Sequence, residues 1–222
     1  TDPSIKRLVS LYVQLGRHRD ALETLAARRF HCWEGGYDVH RYWVEANLAL
    51  GDQAFSRGEY TAALDYYRAA MSYPDNLEVK AQPGVKYTRE NYKAGAALEA
   101  LGRKKEAREL YFAVVSDSLP GSSAAQYFRG RALERLGRRA ESRAVFERML
   151  SAVENTGFSD DGGPGDGLPL SEKVPLARER FRRALALEGL GRKAEADQLR
   201  SSALALDPIV ELRSFGPPRA GW

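Results

Sequence analysis

Apolar residues recur along most of the chain at intervals of three and four positions, which places them on one face of an α-helix. One such face consists of Tyr127, Gly130, Leu133 and Leu136. A second face begins a few residues later and consists of Ala144, Val145, Phe146, Met149 and Leu150. Gly137 lies between them, and glycine ends a helix at little cost because it adopts positive φ freely. The pattern therefore predicts two helices joined by a tight turn.

The same arrangement occurs five times, each time with a glycine five residues before a small residue. We term these residues the marker glycines: Gly16, Gly58, Gly102, Gly137 and Gly191. Successive marker glycines are 42, 44, 35 and 54 residues apart, which indicates one repeated unit with insertions between copies. Five helical hairpins are predicted, at about residues 3–29, 40–73, 88–117, 122–152 and 174–207.

Two further columns of residues share this register. Seven residues before the marker glycines stand Val9, Gly51, Gly95, Gly130 and Ala184. Nine residues after them stand Leu25, Tyr67, Tyr111, Phe146 and Arg200, of which only the last is neither apolar nor aromatic. Four of the five residues in the first column are small, although glycine within a helix costs about 1 kcal/mol relative to alanine. We expect the small residues to allow close approach of the two helices of each hairpin.

These columns resemble the tetratricopeptide repeat, a helix-turn-helix unit of about 34 residues. The resemblance covers most of the chain from Leu8 to Pro208, although the tryptophan column of that family is replaced by Asn47, Asn91, Gln126 and Arg180. It implies an all-α fold, an α-α superhelix or solenoid of about five hairpins over residues 1–208.

A finer resemblance rests on residues 29–36, residues 73–77 and a following helix that contains Tyr92. Together they look like the helical C-terminal half of large bacterial proteins whose N-terminal half is a β-rich domain of unassigned function. That resemblance implies an accessory role beside a carbohydrate-related domain of the same polypeptide. The chain does not begin with Met, so we expect a fragment. Its single cysteine suits a reducing compartment, and we expect a cytoplasmic protein.

The insertions between hairpins offer little chemistry. Residues 30–40 include His31 and Cys32, but their spacing is not that of a metal site, and we expect a structural role. Residues 155–172 are expected to form a flexible loop, because a run rich in glycine and aspartate cannot bury apolar area. A calcium loop is not expected, because its twelfth position, which requires glutamate, is Ser171. Residues 209–222 are expected to form an irregular tail that docks through Phe215 or Trp222. No metal and no cofactor are expected.

Composition narrows the classes of function further. A single cysteine excludes an internal disulfide framework, and no apolar run approaches the roughly 20 residues that cross a bilayer. The net charge of +4 and the pI near 9.2 are typical of solvated helix faces and disfavour nucleic acid as a partner. No nucleophile–base arrangement and no phosphate loop is present. We therefore expect a chain that is not an enzyme.

The family binds ligands along a concave groove formed by the first helix of each hairpin. Carried over by register, the groove positions are Asp52, Arg89, Tyr92, Lys93, Tyr127, Arg131, Arg135, Arg178 and Arg182. The pairs Arg89/Lys93 and Arg178/Arg182, each four residues apart, resemble the basic half of a carboxylate clamp. Asp52 and Arg131 replace the asparagines of that clamp. The alternative is a solvated helix face with local ion pairs.

Together these features predict a non-catalytic module that binds a protein or peptide, of acidic character, or a β-rich domain of the same polypeptide. An accessory domain of a carbohydrate-active protein and an RNA-binding domain are the alternatives. The oligomeric state is left open.

Overall fold

The computed structural model describes residues 2–31, 39–81, 83–117, 124–154 and 169–215. Within these ranges the secondary structure is helical and no strand occurs, so the all-α class is confirmed. The helices are α1 (Asp2–Gln14), α2 (His18–Ala26), α3 (Val39–Ser56), α4 (Tyr60–Ala70), α5 (Thr88–Ala100), α6 (Lys104–Ser116), α7 (Gln126–Arg135), α8 (Arg139–Glu154), α9 (Leu170–Gly189), α10 (Lys193–Leu206) and α11 (Val210–Phe215).

The first ten helices form five hairpins, numbered here 1 to 5, as the sequence predicts. Contacts between residues group the chain into two compact units, unit 1 (Thr1–Ala113) and unit 2 (Val114–Trp222). In unit 1, α1 packs on α2 and α3, and α4 packs on both α3 and α5. In unit 2, α8 packs on α7 and α9, while α10 and α11 both pack on α9.

Every marker glycine ends the first helix of its hairpin, two residues after the last helical residue. Their φ angles lie between +73° and +80°, the left-handed region in which a side chain is strained. In hairpin 3 the Gly102 N–H donates to the Glu99 carbonyl (3.0 Å) and the next N–H donates to the Leu98 carbonyl (2.9 Å). The other four turns repeat this pair of bonds. This is the Schellman arrangement, which satisfies carbonyls that the end of the helix leaves unpaired.

The two register columns face each other inside the hairpins. A Cβ built on Gly95 would lie 2.7 Å from Tyr111 Cε1, and one built on Gly51 would lie 2.5 Å from Tyr67 Cε1. Glycine is therefore required where the partner sixteen residues later is a ring. In hairpin 5 the corresponding residues are Ala184 and Arg200. The expected close approach of the two helices is confirmed in the hairpins that carry this glycine.

The core of unit 2 centres on Phe146, whose side chain is fully buried. Its ring is held between two glycines, because a Cβ on Gly130 of α7 or on Gly189 of α9 would each approach it to 2.4 Å. Phe181, Leu185 and other apolar residues of α9 belong to the same core cluster.

The C-terminal segment differs from the irregular tail that the sequence predicts. Residues 210–215 form α11, with Val210 fully buried. Phe215 packs against Phe128 and Phe181, with ring centroids 5.2 and 5.7 Å apart, so the expected docking through Phe215 occurs. These apolar contacts favour the helix because they bury one face of it. Trp222 lies outside the described residues.

The insertions are described only in part. Residues 32–38, which include Cys32, and residues 155–168 lie outside the described ranges. The end of the predicted flexible loop is helical, because α9 begins at Leu170.

The loop between hairpins 2 and 3 holds the chain that follows α2. It contains a 3₁₀ turn at Asp75–Leu77. The Asn76 side chain donates to the carbonyls of Leu25 and Arg28 at 2.8 and 2.7 Å, and its own carbonyl accepts from the Phe30 N–H at 2.8 Å. Phe30 is buried at this junction. This asparagine thus fixes the exit of hairpin 1.

Candidate functional site

The predicted groove residues of unit 1 lie on α3 and α5 and are joined by ion pairs. The Arg89 guanidinium donates to both oxygens of Glu45, at 2.6 and 3.1 Å, and its Nε lies 3.7 Å from Glu90. About nine-tenths of each of these three side chains is hidden from solvent. Burial raises the pKa of Glu90, and the charge of Arg89 opposes that rise. Arg89 therefore joins two first helices through a buried charge pair, which is costly to break.

Lys93 is held in a second cluster, around Asp52. Its ammonium lies 2.7 Å from both oxygens of that carboxylate, which also accepts the Tyr67 hydroxyl at 2.8 Å. Burial raises the pKa of the Tyr67 hydroxyl, and the negative charge of Asp52 adds to the rise, so the tyrosine stays a donor. Tyr92 packs near Tyr111, with ring centroids 5.9 Å apart. Both cations predicted for the clamp in unit 1 are thus bound to carboxylates of the same chain.

A histidine of hairpin 1 lies close to the same charges. Burial lowers the pKa of His18, the first residue of α2, and the nearby carboxylate of Glu45 opposes this. Glu45 of hairpin 2 therefore interacts with ionisable groups of hairpins 1 and 3. Glu45 is not among the groove residues that the sequence predicts. The register contained the signal, because Glu45 stands thirteen residues before Gly58, just as Arg89 stands thirteen residues before Gly102.

The predicted groove residues of unit 2 lie on α7 and α9, and one of them, Tyr127, contacts Glu188 of α9. Its carboxylate accepts the Tyr127 hydroxyl at 2.7 Å and the Arg200 guanidinium. Partial burial works against the charge, but these two hydrogen bonds outweigh it and hold the pKa of Glu188 below its usual value. Glu188 was also missed. The signal was present, because it occupies the register position of Glu99, which accepts the Tyr111 hydroxyl at 3.0 Å.

The four arginines predicted for this part of the groove have local contacts. Arg131 pairs with Glu134 at 3.0 Å within α7, and its guanidinium lies 6.0 Å from the Tyr127 ring. Arg182 donates through Nε to the carbonyl of Arg178, one turn earlier on α9, at 3.3 Å. Arg135 is exposed at the end of α7. These contacts agree with the local pairing that the solvated-face alternative expects, and they leave the groove assignment a prediction.

The helices of unit 2 differ in charge. The first helices, α7 and α9, carry eight cations and four carboxylates, whereas the second helices, α8 and α10, carry five of each. The first helices of unit 1, α1, α3 and α5, also carry five of each. The cations of α7 and α9 are Arg129, Arg131, Arg135, Lys173, Arg178, Arg180, Arg182 and Arg183. Positive charge is thus concentrated on the first helices of unit 2.

Among the residues that the structure describes, no three His, Cys, Asp or Glu side chains are placed together as metal ligands would be. No helix within the described ranges is both long and apolar enough to cross a membrane.

A family model for the tetratricopeptide repeat matches residues 92–157. No curated protein matches the sequence significantly.

Among solved structures, one from Podosopora anserina is similar, and it is assigned as a kinesin light chain with nearly identical TPR-like repeats. It is 17% identical, covers 92% of this chain and 93% of its own, and gives a TM-score of 0.38. The structure of MamA MSR-1 is 17% identical over 93% of this chain and 97% of its own, with a TM-score of 0.33. That of MamA AMB-1 is 18% identical over 97% and 98%, with a TM-score of 0.34. These structural likenesses bear on neither ligand nor partner. Residues 92–157, which run from α5 through α8 and contain two of the five marker glycines, are thus the part of the chain that is similar to the tetratricopeptide repeat family.

Proposed function

We propose that the chain is a non-catalytic protein-binding module and that the first helices of unit 2 hold an acidic segment of its partner. The observation that carries the proposal is the surplus of four positive charges on α7 and α9, beside second helices that are neutral. Tetratricopeptide repeats, like other stacked-repeat proteins, present extended surfaces for binding. Charge concentrated on one set of helices attracts a partner of opposite sign and raises its association rate.

Unit 2 is favoured over unit 1 because its first helices carry a surplus of cations, whereas the first helices of unit 1 carry equal numbers of cations and carboxylates. Arg89 is bound to Glu45 and Lys93 to Asp52. An acidic peptide would have to displace these carboxylates, and would gain little from the exchange. In unit 2 the cations of α7 and α9 outnumber the carboxylates of the same helices two to one. Arginine suits the role because its planar fork binds a carboxylate with two hydrogen bonds.

The test uses the whole chain and a fluorescein-labelled hexaglutamate peptide, with binding followed by fluorescence anisotropy. We expect saturable binding that weakens when salt is raised from about 50 to about 200 mM. The double variant R178A/R182A should bind at least about tenfold more weakly, the loss of roughly 1.4 kcal/mol. The matched control is R143A, because Arg143 is an exposed arginine of α8 paired with Glu147, and it should bind within about twofold of the parent.

Two further arms separate the alternatives. K93A should leave binding unchanged, and a loss as large as that of R178A/R182A would move the site to unit 1. A labelled hexauridylate in place of hexaglutamate tests the nucleic-acid alternative. If the RNA binds and the acidic peptide does not, the protein-binding proposal is wrong for this surface. Equal affinity of the parent and R178A/R182A for hexaglutamate would also overturn it.

A further inference from the structure

Unit 1 contains a cavity that the groove residues do not explain. It lies between α4, α5 and α6 and has a volume of about 160 Å³. Its apolar lining consists of Met71, Ala94, Leu98 and Leu110, and its charged rim consists of Arg68, Glu106 and Glu109. Ala94 and Leu98 are buried, whereas Glu109 is exposed. The cavity therefore has an apolar floor and a charged edge, on which the Glu109 carboxylate is exposed to solvent.

The same register positions in hairpins 4 and 5 hold an arginine of the chain itself. Ala94 stands eight residues before its marker glycine, and the equivalent residues are Arg129 and Arg183. The Nε atoms of both arginines are buried. Each arginine thus buries its Nε at a register position where hairpin 3 has only a methyl group.

Each of these arginines also acts on the glutamate four residues after the marker glycine. In hairpin 4 the pKa of Glu141 is lowered mainly by its hydrogen bond to Arg138, and the charge of Arg129 lowers it further. In hairpin 5 the pKa of Glu195 is lowered mainly by Arg192, and Arg183 adds to this. The equivalent glutamate in hairpin 3 is Glu106, on the rim of the cavity.

Two positions on the second helix compare hairpin 3 with hairpins 4 and 5: the first is apolar in all three, and the second is charged only in hairpin 3. Eight residues after the marker glycine the wall is apolar in all three hairpins, with Leu110, Val145 and Leu199. One residue earlier, hairpin 3 has Glu109, where the other two have Ala144 and Gln198. Compared with hairpins 4 and 5, hairpin 3 thus has alanine in place of the arginine of the first helix and an additional carboxylate on the second helix.

Two local cations act on Glu106. The neighbouring Arg103 donates two hydrogen bonds to it, at 2.7 and 2.6 Å, and these lower the pKa of Glu106 most. The charge of Arg68, on the opposite wall, makes a smaller contribution in the same direction. Glu109 projects from the next turn of α6, and a cation that enters the cavity would meet it first. The apolar floor would cover the hydrocarbon stem of that residue.

We propose that this cavity receives an arginine side chain from a partner protein, in the manner in which hairpins 4 and 5 receive Arg129 and Arg183. The stem would lie on Ala94, Leu98 and Leu110, with the guanidinium at Glu109. Arginine fits better than lysine because its guanidinium is planar and more weakly hydrated. The site is separate from the acidic-peptide surface of unit 2, so either proposal can fail without the other.

The test is a methyl NMR titration of the whole chain with the peptide acetyl-Ala-Arg-Ala-amide. We expect saturable shifts of the Met71, Leu98 and Leu110 methyl signals, with a dissociation constant on the order of millimolar because one side chain buries little area. A94R supplies the arginine from within and should abolish the shifts. That substitution copies hairpins 4 and 5, and an unchanged spectrum outside the cavity would show that the fold is kept.

Three comparisons complete the experiment. E109Q should weaken binding by about two- to fivefold, as expected for one exposed charge contact, and E109K should abolish it even if A94R does not fold. E147Q removes an exposed carboxylate of α8 and should have no effect. The proposal is overturned if the three methyl signals do not move, if they move equally with E109K, or if acetyl-Ala-norleucine-Ala-amide shifts them as strongly as the arginine peptide.

Discussion

The ring of Phe146 lies so close to the backbone of Gly130 that a Cβ on this glycine would stand 2.4 Å from ring Cζ. Gly189 approaches the ring equally closely, because a Cβ on it would lie 2.4 Å from ring Cδ1. The contact joins α7 and α9 through a side chain of α8. Two glycines and one phenylalanine thus set how closely the two first helices of unit 2 approach this second helix.

We expect G130A to destabilise the protein although alanine has the higher helix propensity. Propensity favours alanine by about 1 kcal/mol, but inserting a methyl group into a packed core costs about 1 to 3 kcal/mol. The net loss should be about 1 kcal/mol, measured as the free energy of unfolding in urea. The double variant G130A/F146L should be less destabilised than the two single losses added together. Strict additivity would contradict the contact.

The marker glycines give a different result, because no atom lies within 4 Å of a Cβ built on Gly102. Only the positive φ of +78° opposes a side chain there. G102A should therefore cost about 1 to 2 kcal/mol of unfolding free energy. G102N should cost less, since asparagine tolerates this conformation better. Equal losses for the two variants in urea unfolding would show that the strain is not in the backbone.

Hairpin 5 can be converted to the arrangement of hairpin 3. R200Y alone places a ring against the Cβ of Ala184 and should be destabilising, by about 1 to 3 kcal/mol. Adding A184G should restore much of the loss, because Gly95 and Tyr111 form that pair in hairpin 3. A double-mutant cycle on urea unfolding should give a coupling of about 1 kcal/mol or more. Absence of coupling would mean that the two positions do not touch in hairpin 5.

The stability of the protein should depend on the ionisation of Glu188. Its hydrogen bonds with Tyr127 and Arg200 hold its pKa below the usual 4.5 in the folded state. A carboxyl group with a depressed folded pKa stabilises the fold above its unfolded pKa, and this is lost as pH falls through the folded value. E188Q should therefore be less stable than the parent near neutral pH. The difference should narrow below about pH 4.5.

Acid denaturation curves of both proteins, read as unfolding free energy against pH, measure that convergence. T24V is a control, because the Thr24 hydroxyl donates to the Asp20 carbonyl and does not titrate in this range. Its curve should run parallel to that of the parent. A difference between E188Q and the parent that stays constant to low pH would contradict the assigned role of the carboxylate.

Much of the fold follows from the sequence because each hairpin is specified locally. The marker glycine ends one helix, and the apolar stripes on either side select the faces that pack. Gly51 and Tyr67 are sixteen residues apart and their contact lies inside one hairpin, so periodicity alone places them together.

The candidate site follows less well, because its contacts join residues of different hairpins. Register placed Arg89 and Lys93 on first helices, but it could not show that Glu45 and Asp52 bind them. Those pairs are 44 and 41 residues apart, and they depend on how one hairpin stacks on the next. The helix at residues 210–215 was missed for a similar reason, since its stability comes from rings in α7 and α9 rather than from its own six residues.

The matched columns inside hairpins 2 and 3 have a consequence for how such a chain can diverge. When a repeat is duplicated, a glycine and the ring that covers it are copied together, and either one is harmful alone. A later exchange to the alanine and arginine of hairpin 5 must alter both positions at nearly the same time. Homologous sequences should therefore show linked substitutions at a separation of sixteen residues, whereas the turn glycine between the two positions should vary independently of both.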